Sequence, residues 1–279
     1  MQKKIHWAAL AACTAMALAG CGGGGDKSPA NDLKGQWEGS LYLYPINGYN
    51  GYNDYRMIVL EDGSLWGTMS TNNYTASSNI QGMLHGTYSD HDEDDGTCDE
   101  DNICSTDWTT YFKTSYTQFN FVTGGANNQL GFSGTWNGSA LDGRFSYGTS
   151  FKIPSGNYVQ AVTLSSLAGV YSGYAVVSGS SSRTNLNGIT ISGSTLTLPA
   201  DANGCSASGT LTPHLPQAQN GAVFAFDTSL TFRGTGCALR NGTTVQGITY
   251  QATFNDATAI QILTVTSDNQ TGFMVTGIR

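Results

Sequence analysis

One short pattern opens both halves of the chain: LKGQWEG at residues 33–39 and LAGVYSG at residues 167–173. Both read L-x-G-x-aromatic-x-G, and each precedes a series of segments in which apolar and polar residues alternate. Alternation with a period of two is typical of strands that bury one face. Asp62-Gly63, between two such segments, is a strong hairpin signal because glycine readily adopts positive φ. The repeat therefore predicts two β domains built on one plan.

The alternation predicts seven strands in the first half and eight in the second, and no segment longer than 11 residues shows helical periodicity. Short strands at spacings of about 8–15 residues are typical of antiparallel barrels and sandwiches. We therefore expect an all-β fold of two tandem small antiparallel β-barrels or barrel-like sandwiches, with Trp37 and Tyr171 each plugging one barrel end. The expected strands are 35–44, 55–60, 64–70, 80–88, 117–122, 129–136, 139–147, 169–178, 186–192, 194–198, 206–212, 223–233, 247–254, 259–266 and 271–278.

The N-terminal segment has the features of an export signal. Two lysines precede a 14-residue apolar stretch, residues 5–18, which is long enough for a signal-peptide core and too short to span a bilayer. LAGC at residues 18–21 resembles the lipobox of bacterial lipoproteins. That resemblance implies that Cys21 becomes a lipidated N-terminus, and that Gly22, in place of an aspartate, favours the outer membrane. The alternative is an ordinary secretory signal that is cut at another small residue.

The segments that follow predict the order of the domains. GGGGDKSPAND, residues 22–32, is a Gly-rich flexible tether that would hold the first domain close to the membrane. No later apolar run is long enough to span a bilayer, so we expect the lipid to be the membrane anchor. The expected divisions are a signal peptide at 1–20, a tether at 21–32, an N-terminal barrel-like domain at 33–153, a linker at 154–166 and a C-terminal barrel-like domain at 167–279.

Several segments resemble known barrels. The L-x-G-x-aromatic opening is similar to the first strand of lipocalin-like and avidin-like barrels. GFSGTW at 131–136 and LDGRF at 141–145 resemble the barrels of surface lipoproteins such as transferrin-binding protein B and factor H binding protein. GCSASGT at 204–210 and SLTFRGTGC at 229–237 resemble the C-terminal domain of uncharacterised proteobacterial outer-membrane lipoproteins, over about 110 residues. This last resemblance implies a β domain and carries no assigned chemistry.

The six cysteines divide by compartment. One leaves with the signal peptide and Cys21 takes the lipid, so four remain in an oxidising envelope, where an even number favours disulfides. Three pairings of these four are possible, and proximity within each half favours Cys98–Cys104 and Cys205–Cys237. A zinc site is the competing interpretation, but the spacing matches no zinc signature.

The charge of the chain is concentrated in one segment. Charged residues make up 11% of the sequence and the formal net charge is −8, yet nine of the twenty acidic residues lie in residues 90–107, without a lysine or arginine. Alternating carboxylates supply the oxygen ligands that Ca²⁺ needs, and the segment resembles EF-hand and thrombospondin type 3 loops, although its glycine comes one residue late. The alternatives are a solvated loop and electrostatic docking on a basic partner. The candidate metal ligands are Asp90, Asp92, Asp94, Asp99 and Asp101.

A tyrosine-rich segment at residues 44–56 predicts a recognition loop. Tyr49, Tyr52 and Tyr55 alternate there with asparagine and glycine, a mixture that combines rigid amphipathic rings with adaptable hydrogen bonding. Such rings would bind a protein or a glycan; the alternative is a long hairpin loop whose residues only form turns. The negative charge balance argues against nucleic acid as a partner.

Known catalytic motifs are missing from the sequence. The three histidines that follow the signal share no metal spacing, and there is no G-x-S-x-G elbow, P-loop or dinucleotide fingerprint. The leading hypothesis is a non-catalytic outer-membrane lipoprotein that acts as a binding or accessory module through its N-terminal domain. The alternatives are a structural envelope lipoprotein whose acidic loop binds calcium, and a lipocalin-like binder of small ligands.

Overall fold

The chain folds into two antiparallel β-sheets. This computed structural model describes residues 35–42, 52–71, 80–94, 108–122, 124–136, 140–145, 150–154, 161–180, 182–214, 222–254 and 256–279. Most of these residues lie in strands, and the described residues contain one short helix, α1, at Leu164–Leu167. The predicted all-β class is confirmed.

Within the described residues, the first sheet contains nine strands. They are β1 (Gly35–Tyr42), β2 (Tyr52–Val59), β3 (Ser64–Thr71), β4 (Ile80–Asp94), β5 (Trp108–Asn120), β6 (Ala126–Leu130), β7 (Phe132–Trp136), β8 (Ala140–Phe145) and β9 (Ser150–Pro154). Their order is β1-β2-β3-β4-β5-β7-β8-β9, and β6 also pairs with β5. Because β1 and β9 come within 8 Å of each other between Cα atoms, the sheet curls into a half-barrel.

The second sheet is a closed eight-stranded barrel. Its strands are β10 (Gly169–Val177), β11 (Thr184–Ser192), β12 (Thr195–Leu198), β13 (Ser206–Pro213), β14 (Phe226–Arg233), β15 (Thr244–Phe254), β16 (Ala257–Thr266) and β17 (Gly272–Ile278). Each strand pairs with the next along the chain, and β17 pairs with β10 to close the ring. The eight strands predicted for this half are confirmed, with boundaries shifted by a few residues.

The described first half has nine strands instead of the seven predicted, because the segment predicted at 129–136 is divided between β6 and β7 and β9 was not predicted, and its longest hairpin also differs from the prediction. β4 continues to Asp94 instead of ending near residue 88, and β5 begins at Trp108 instead of residue 117. Asp94 pairs with Trp108 and Asp92 with Thr110, so part of the acidic segment is strand. The predicted ends are wrong because residues 108–116 are rich in threonine and aromatic residues, whose strand preference outweighs that of the aspartates they face.

The barrel is plugged at one end. Tyr171 is 1% exposed in the core, and its hydroxyl donates to the carbonyl of Leu167 in α1 at 2.6 Å. Gly173, the last glycine of the motif, lies where β10 meets β17: a Cβ there would stand 1.8 Å from the carbonyl oxygen of Thr276. The expectation that Tyr171 plugs a barrel end agrees with this position, and the motif glycine permits the closure of the ring.

Arg279 contacts the plugged end of the barrel. Arg279 donates to the carbonyl oxygens of Ala168 at 3.0 Å and Ser166 at 2.9 Å, and its guanidinium lies 5.4 Å from the ring centroid of Tyr171. Val162 also pairs with Val223 across this end, and both are buried. Residues 162–166, which the sequence analysis places in the linker, therefore lie against the barrel.

The two sheets share a hydrophobic core. Ile58, Ile80 and Phe119 of the first sheet pack in one cluster with Tyr250 and Met274 of the barrel. β16 is buried on both faces: every residue from Ala259 to Val265 is buried, because one set faces the barrel interior and the other faces the first sheet. The halves are therefore joined by an apolar interface as well as by the chain.

Close approach and polar contacts fix this interface. A Cβ on Gly272 would stand 2.7 Å from Cγ of Phe119, so glycine lets β17 lie directly on the first sheet. Arg183 of the barrel donates to the carbonyl of Ile80 at 2.8 Å. Arg56 of the first sheet is 7% exposed and lies 5.0 Å from the ring centroid of Phe254. Both cations thus cross the boundary between the sheets.

Candidate functional site

The end of the barrel opposite α1 contains a pocket. Cys205, in the β12–β13 loop, forms a disulfide with Cys237, in the β14–β15 loop, as predicted. Leu239 of the second loop packs into the barrel core. Beneath these loops lies a space of about 290 Å³, which we call the mouth pocket. Its volume is at the lower end of the ~300–1,000 Å³ range typical of small-molecule sites.

The mouth pocket has an apolar floor and a polar rim. The floor is formed by inward residues of the strands, among them Ala175, Leu198 and the edge-to-face pair Phe232 and Phe273, whose centroids are 4.9 Å apart. Hydroxyl and amide groups ring the opening. Its described lining has one ionisable side chain, Asp201, and no basic one. The rim residues that carry hydroxyl or amide groups are Ser180, Ser182, Thr184, Asn203 and Ser206.

Asp201 forms hydrogen bonds within the β12–β13 loop. Oδ1 of Asp201 accepts hydrogen bonds from the backbone amides of Asn203 at 2.8 Å and Cys205 at 2.9 Å. These bonds and the disulfide hold the β12–β13 loop at the edge of the pocket. The arrangement can bind a molecule with a short apolar body and a neutral or cationic head, because the rim offers hydrogen-bonding groups and negative charge.

A second concavity, the groove, runs between the two sheets. It has a volume of about 930 Å³ and is open along its length. One wall is the outer face of β13, β14 and β15, and the other is the β2–β3 hairpin with neighbouring residues of β3 and β4. Its polar lining includes Thr210, Ser229, Gln246, Asp62, His214 and Asp227.

His214 lies between carboxylates of the two sheets. Its Nδ1 donates to Oδ1 of Asp227 at 2.7 Å, and its Nε2 is 3.8 Å from Oδ1 of Asp62. Partial burial acts to raise the pKa of Asp62, but hydrogen bonds from the hydroxyl and amide of Ser64, together with the charge of His214, hold this pKa below its usual value. Asp62 is thus kept as a carboxylate at the edge of the groove.

His85 joins the groove to the interface. Its ring stacks on Trp66 with centroids 3.9 Å apart, and its Nδ1 donates to Oδ1 of Asn269 at 3.0 Å. Asn269, at φ 54° in the β16–β17 turn, also donates to Thr117 at 3.3 Å. Desolvation lowers the pKa of His85, against the opposing effect of the bond to Asn269, so the neutral imidazole is favoured.

The predicted tyrosines do not form a described recognition surface. Tyr49 lies outside the described residues, and Tyr52 begins β2. Tyr55 is 4% exposed and packs with Met57 and Phe112 inside the curl of the first sheet. The turn-forming residues before Tyr55 predict that it ends a loop, whereas β2 extends back to Tyr52 and the ring packs in the core of the first sheet.

The predicted metal ligands are distributed over strand and undescribed chain. Asp90, Asp92 and Asp94 lie in β4, in extended backbone rather than in the coiled loop of an EF-hand. Asp90 is exposed and accepts a hydrogen bond from the hydroxyl of Tyr88 at 2.9 Å. Within the described residues no three histidine, cysteine or acidic side chains are grouped to hold a metal. The predicted site residues that lie outside the described residues are Asp99, Asp101, Cys98, Cys104 and Cys21.

Both concavities involve the second half, whereas the leading sequence hypothesis places binding in the N-terminal domain. The cysteine pair was the one local signal for the mouth pocket, because a disulfide there had to join loops at one barrel end. The groove had no such signal: Asp62 and His214 are 152 positions apart, and only the packing of the sheets brings them together.

Comparison with protein-family models, curated proteins and solved structures finds no match for the chain. No helix in the described part of the chain is long and apolar enough to cross a membrane. The function is therefore inferred from the fold and its two concavities.

Proposed function

We propose that the protein is a non-catalytic binding protein whose barrel holds a small amphipathic molecule in the mouth pocket. The observation that carries this proposal is the contrast between the two barrel ends. One end is plugged by α1, Tyr171 and Arg279, whereas the other keeps about 290 Å³ between an apolar floor and a polar rim. Of the sequence hypotheses, the small-ligand binder is the one that this geometry favours.

The proposal includes the location inferred from the sequence. The lipobox-like LAGC at residues 18–21 supports lipidation of Cys21 and anchoring in the outer membrane, as in the uncharacterised lipoproteins that the second half resembles. The disulfide between Cys205 and Cys237 is in keeping with an oxidising compartment. Replacing Cys21 with serine should release the protein from the membrane fraction; continued membrane association would contradict the anchor.

The pocket is tested by calorimetric titration of the full-length protein in detergent. The titrants are straight-chain alcohols, amines and carboxylic acids, from butyl to decyl. Affinity should rise by about 0.8 kcal/mol for each buried methylene until the floor is filled and then level off. Amines should bind more tightly than carboxylic acids, because Asp201 is the one ionisable group of the described lining.

A blocking variant makes the test specific. Ala238 is exposed and lines the pocket, so Ala238→Trp should close the opening without altering the core. Ser194→Trp, an exposed position in the turn at the plugged end, is the control. Binding that is lost in Ala238→Trp and kept in Ser194→Trp supports the proposal. The absence of any binding, or equal binding by both variants, would overturn it.

A further inference from the structure

We infer that the groove between the two sheets is a second, separate binding site, which takes an uncharged oligosaccharide. The inference goes beyond the mouth pocket, with which the groove shares no lining residue. Its volume of about 930 Å³ is near the upper end of the ~300–1,000 Å³ typical of small-molecule sites. The open shape suits a ligand longer than the groove itself.

The barrel wall presents a regular array of hydrogen-bonding side chains. Thr210 on β13 is paired with Ser229 on β14, and Ser229 with Gln246 on β15, so the three form a row across the strands. With about 4.8 Å between neighbouring strands, this row spans about 10 Å. Thr210 and Gln246 are exposed. Hydroxyl and carboxamide groups both donate and accept, which matches the hydroxyl groups of a sugar.

The base of the groove is apolar. Leu60 and Trp66 of the first sheet and Ile248 and Val265 of the barrel line it, each less than 9% exposed. A sugar ring also combines apolar and polar surface, with C–H groups on its faces and hydroxyl groups around its edge. A polar wall above an apolar base therefore complements a polyhydroxylated ring better than it complements a purely polar ion.

The backbone of the wall is not available to a peptide. β13, β14 and β15 are each paired on both sides within the closed barrel. An extended peptide binds a sheet by adding a strand to a free edge, and this wall offers none. The ligand must therefore be recognised through side chains, and the hydroxyl and carboxamide groups of this wall match a molecule that carries hydroxyl groups on every unit.

The charge of the groove excludes anionic polymers. The described lining contains Asp62 and Asp227 and no lysine or arginine. Carboxylates repel sulfated or uronic-acid chains, as well as phosphate groups. His214 lies between these two carboxylates, with its Nδ1 2.7 Å from Oδ1 of Asp227 and its Nε2 3.8 Å from Oδ1 of Asp62.

The experiment uses the full-length protein on an array of neutral glucans, mannans and chito-oligosaccharides beside sulfated and uronic-acid chains, with a serine–threonine hexapeptide as the peptide probe. We expect binding to at least one neutral class and none to the acidic chains. Binding confined to the acidic chains or to the hexapeptide, or no binding to any neutral class, would overturn the inference.

Matched variants locate the binding. Thr210→Lys places a long side chain in the groove and should weaken the affinity for the neutral oligosaccharide by at least about tenfold, equivalent to about 1.4 kcal/mol. Thr197→Lys, at an exposed position on β12 outside the groove, should leave it unchanged. Equal affinities in the two variants would refute the location. Ala238→Trp should not affect this binding, so a failure of the mouth pocket and a failure of the groove are distinguishable.

Discussion

Replacing Leu196 with alanine tests whether the two sheets unfold as one unit. Leu196 is fully buried in the barrel core on β12, and it belongs to the interior cluster rather than to the interface cluster. Removing a buried leucine side chain costs about 2–5 kcal/mol. Because the sheets share an apolar interface, we expect the first sheet to lose stability together with the barrel.

Tryptophan fluorescence can read this effect from the other sheet. Apart from Trp7 in the predicted signal peptide, the tryptophans lie in strands of the first sheet, namely Trp37, Trp66, Trp108 and Trp136. Their fluorescence thus reports the unfolding of the first sheet, although the mutation is in the barrel. With an m-value of about 2–3 kcal/mol per molar urea, the midpoint should fall by roughly 1–2 M.

The control is Thr197→Ala, the exposed neighbour on the same strand, which should change stability by less than about 0.5 kcal/mol. Circular dichroism, which follows both sheets, should give the same midpoint as fluorescence in every variant. The reasoning is refuted if Leu196→Ala leaves the tryptophan midpoint unchanged while circular dichroism shows an earlier, separate transition.

Three further predictions concern the contacts that close and join the sheets. Burial lowers the pKa of His85 from its ordinary value of 6.5. The free energy of unfolding should therefore be highest above that pH and decline as the pH falls below it, by at most about 1.4 kcal/mol per pH unit. Urea titrations should show a flatter dependence of this free energy on pH in His85→Gln. Arg279→Gln should destabilise the protein by about 1–2 kcal/mol through the loss of its charged hydrogen bonds to the α1 region, and an unchanged urea midpoint would contradict that role. Reducing the Cys205–Cys237 disulfide, which spans 32 residues, should cost about 3–4 kcal/mol in a denaturation curve with dithiothreitol, and coincident curves with and without reductant would disprove the estimate.

The second half of the fold was more predictable than the first. In the barrel, one face of most strands is solvent-exposed, so alternation marks β11, β13 and β14 clearly. β16 reads instead as a nearly continuous apolar run, and such a run indicates a strand buried on both faces. That pattern was a local signal for a partner covering the barrel, although it could not identify the first sheet as the partner.

The long hairpin shows why the first half was harder to predict. Aspartates have a low strand preference, so the segment from Asp90 to Asp94 is assigned to a loop on local grounds. Its strand conformation depends on pairing with residues 108–112, which are separated from it by the rest of the acidic segment. Local propensity alone does not contain that pairing energy.

The sequence by itself determined the β class and the repeated opening and favoured one disulfide, because alternation and cysteine spacing are read within one half; the closure of the second sheet depends on the pairing of β10 with β17, about 100 residues later. Only the tertiary structure decided that the two sheets share a core, that one barrel mouth retains a pocket and that a polar groove lies between the sheets. These features come from residues far apart in the chain, such as Asp62 and His214, whose proximity is produced by burying apolar surface between the sheets.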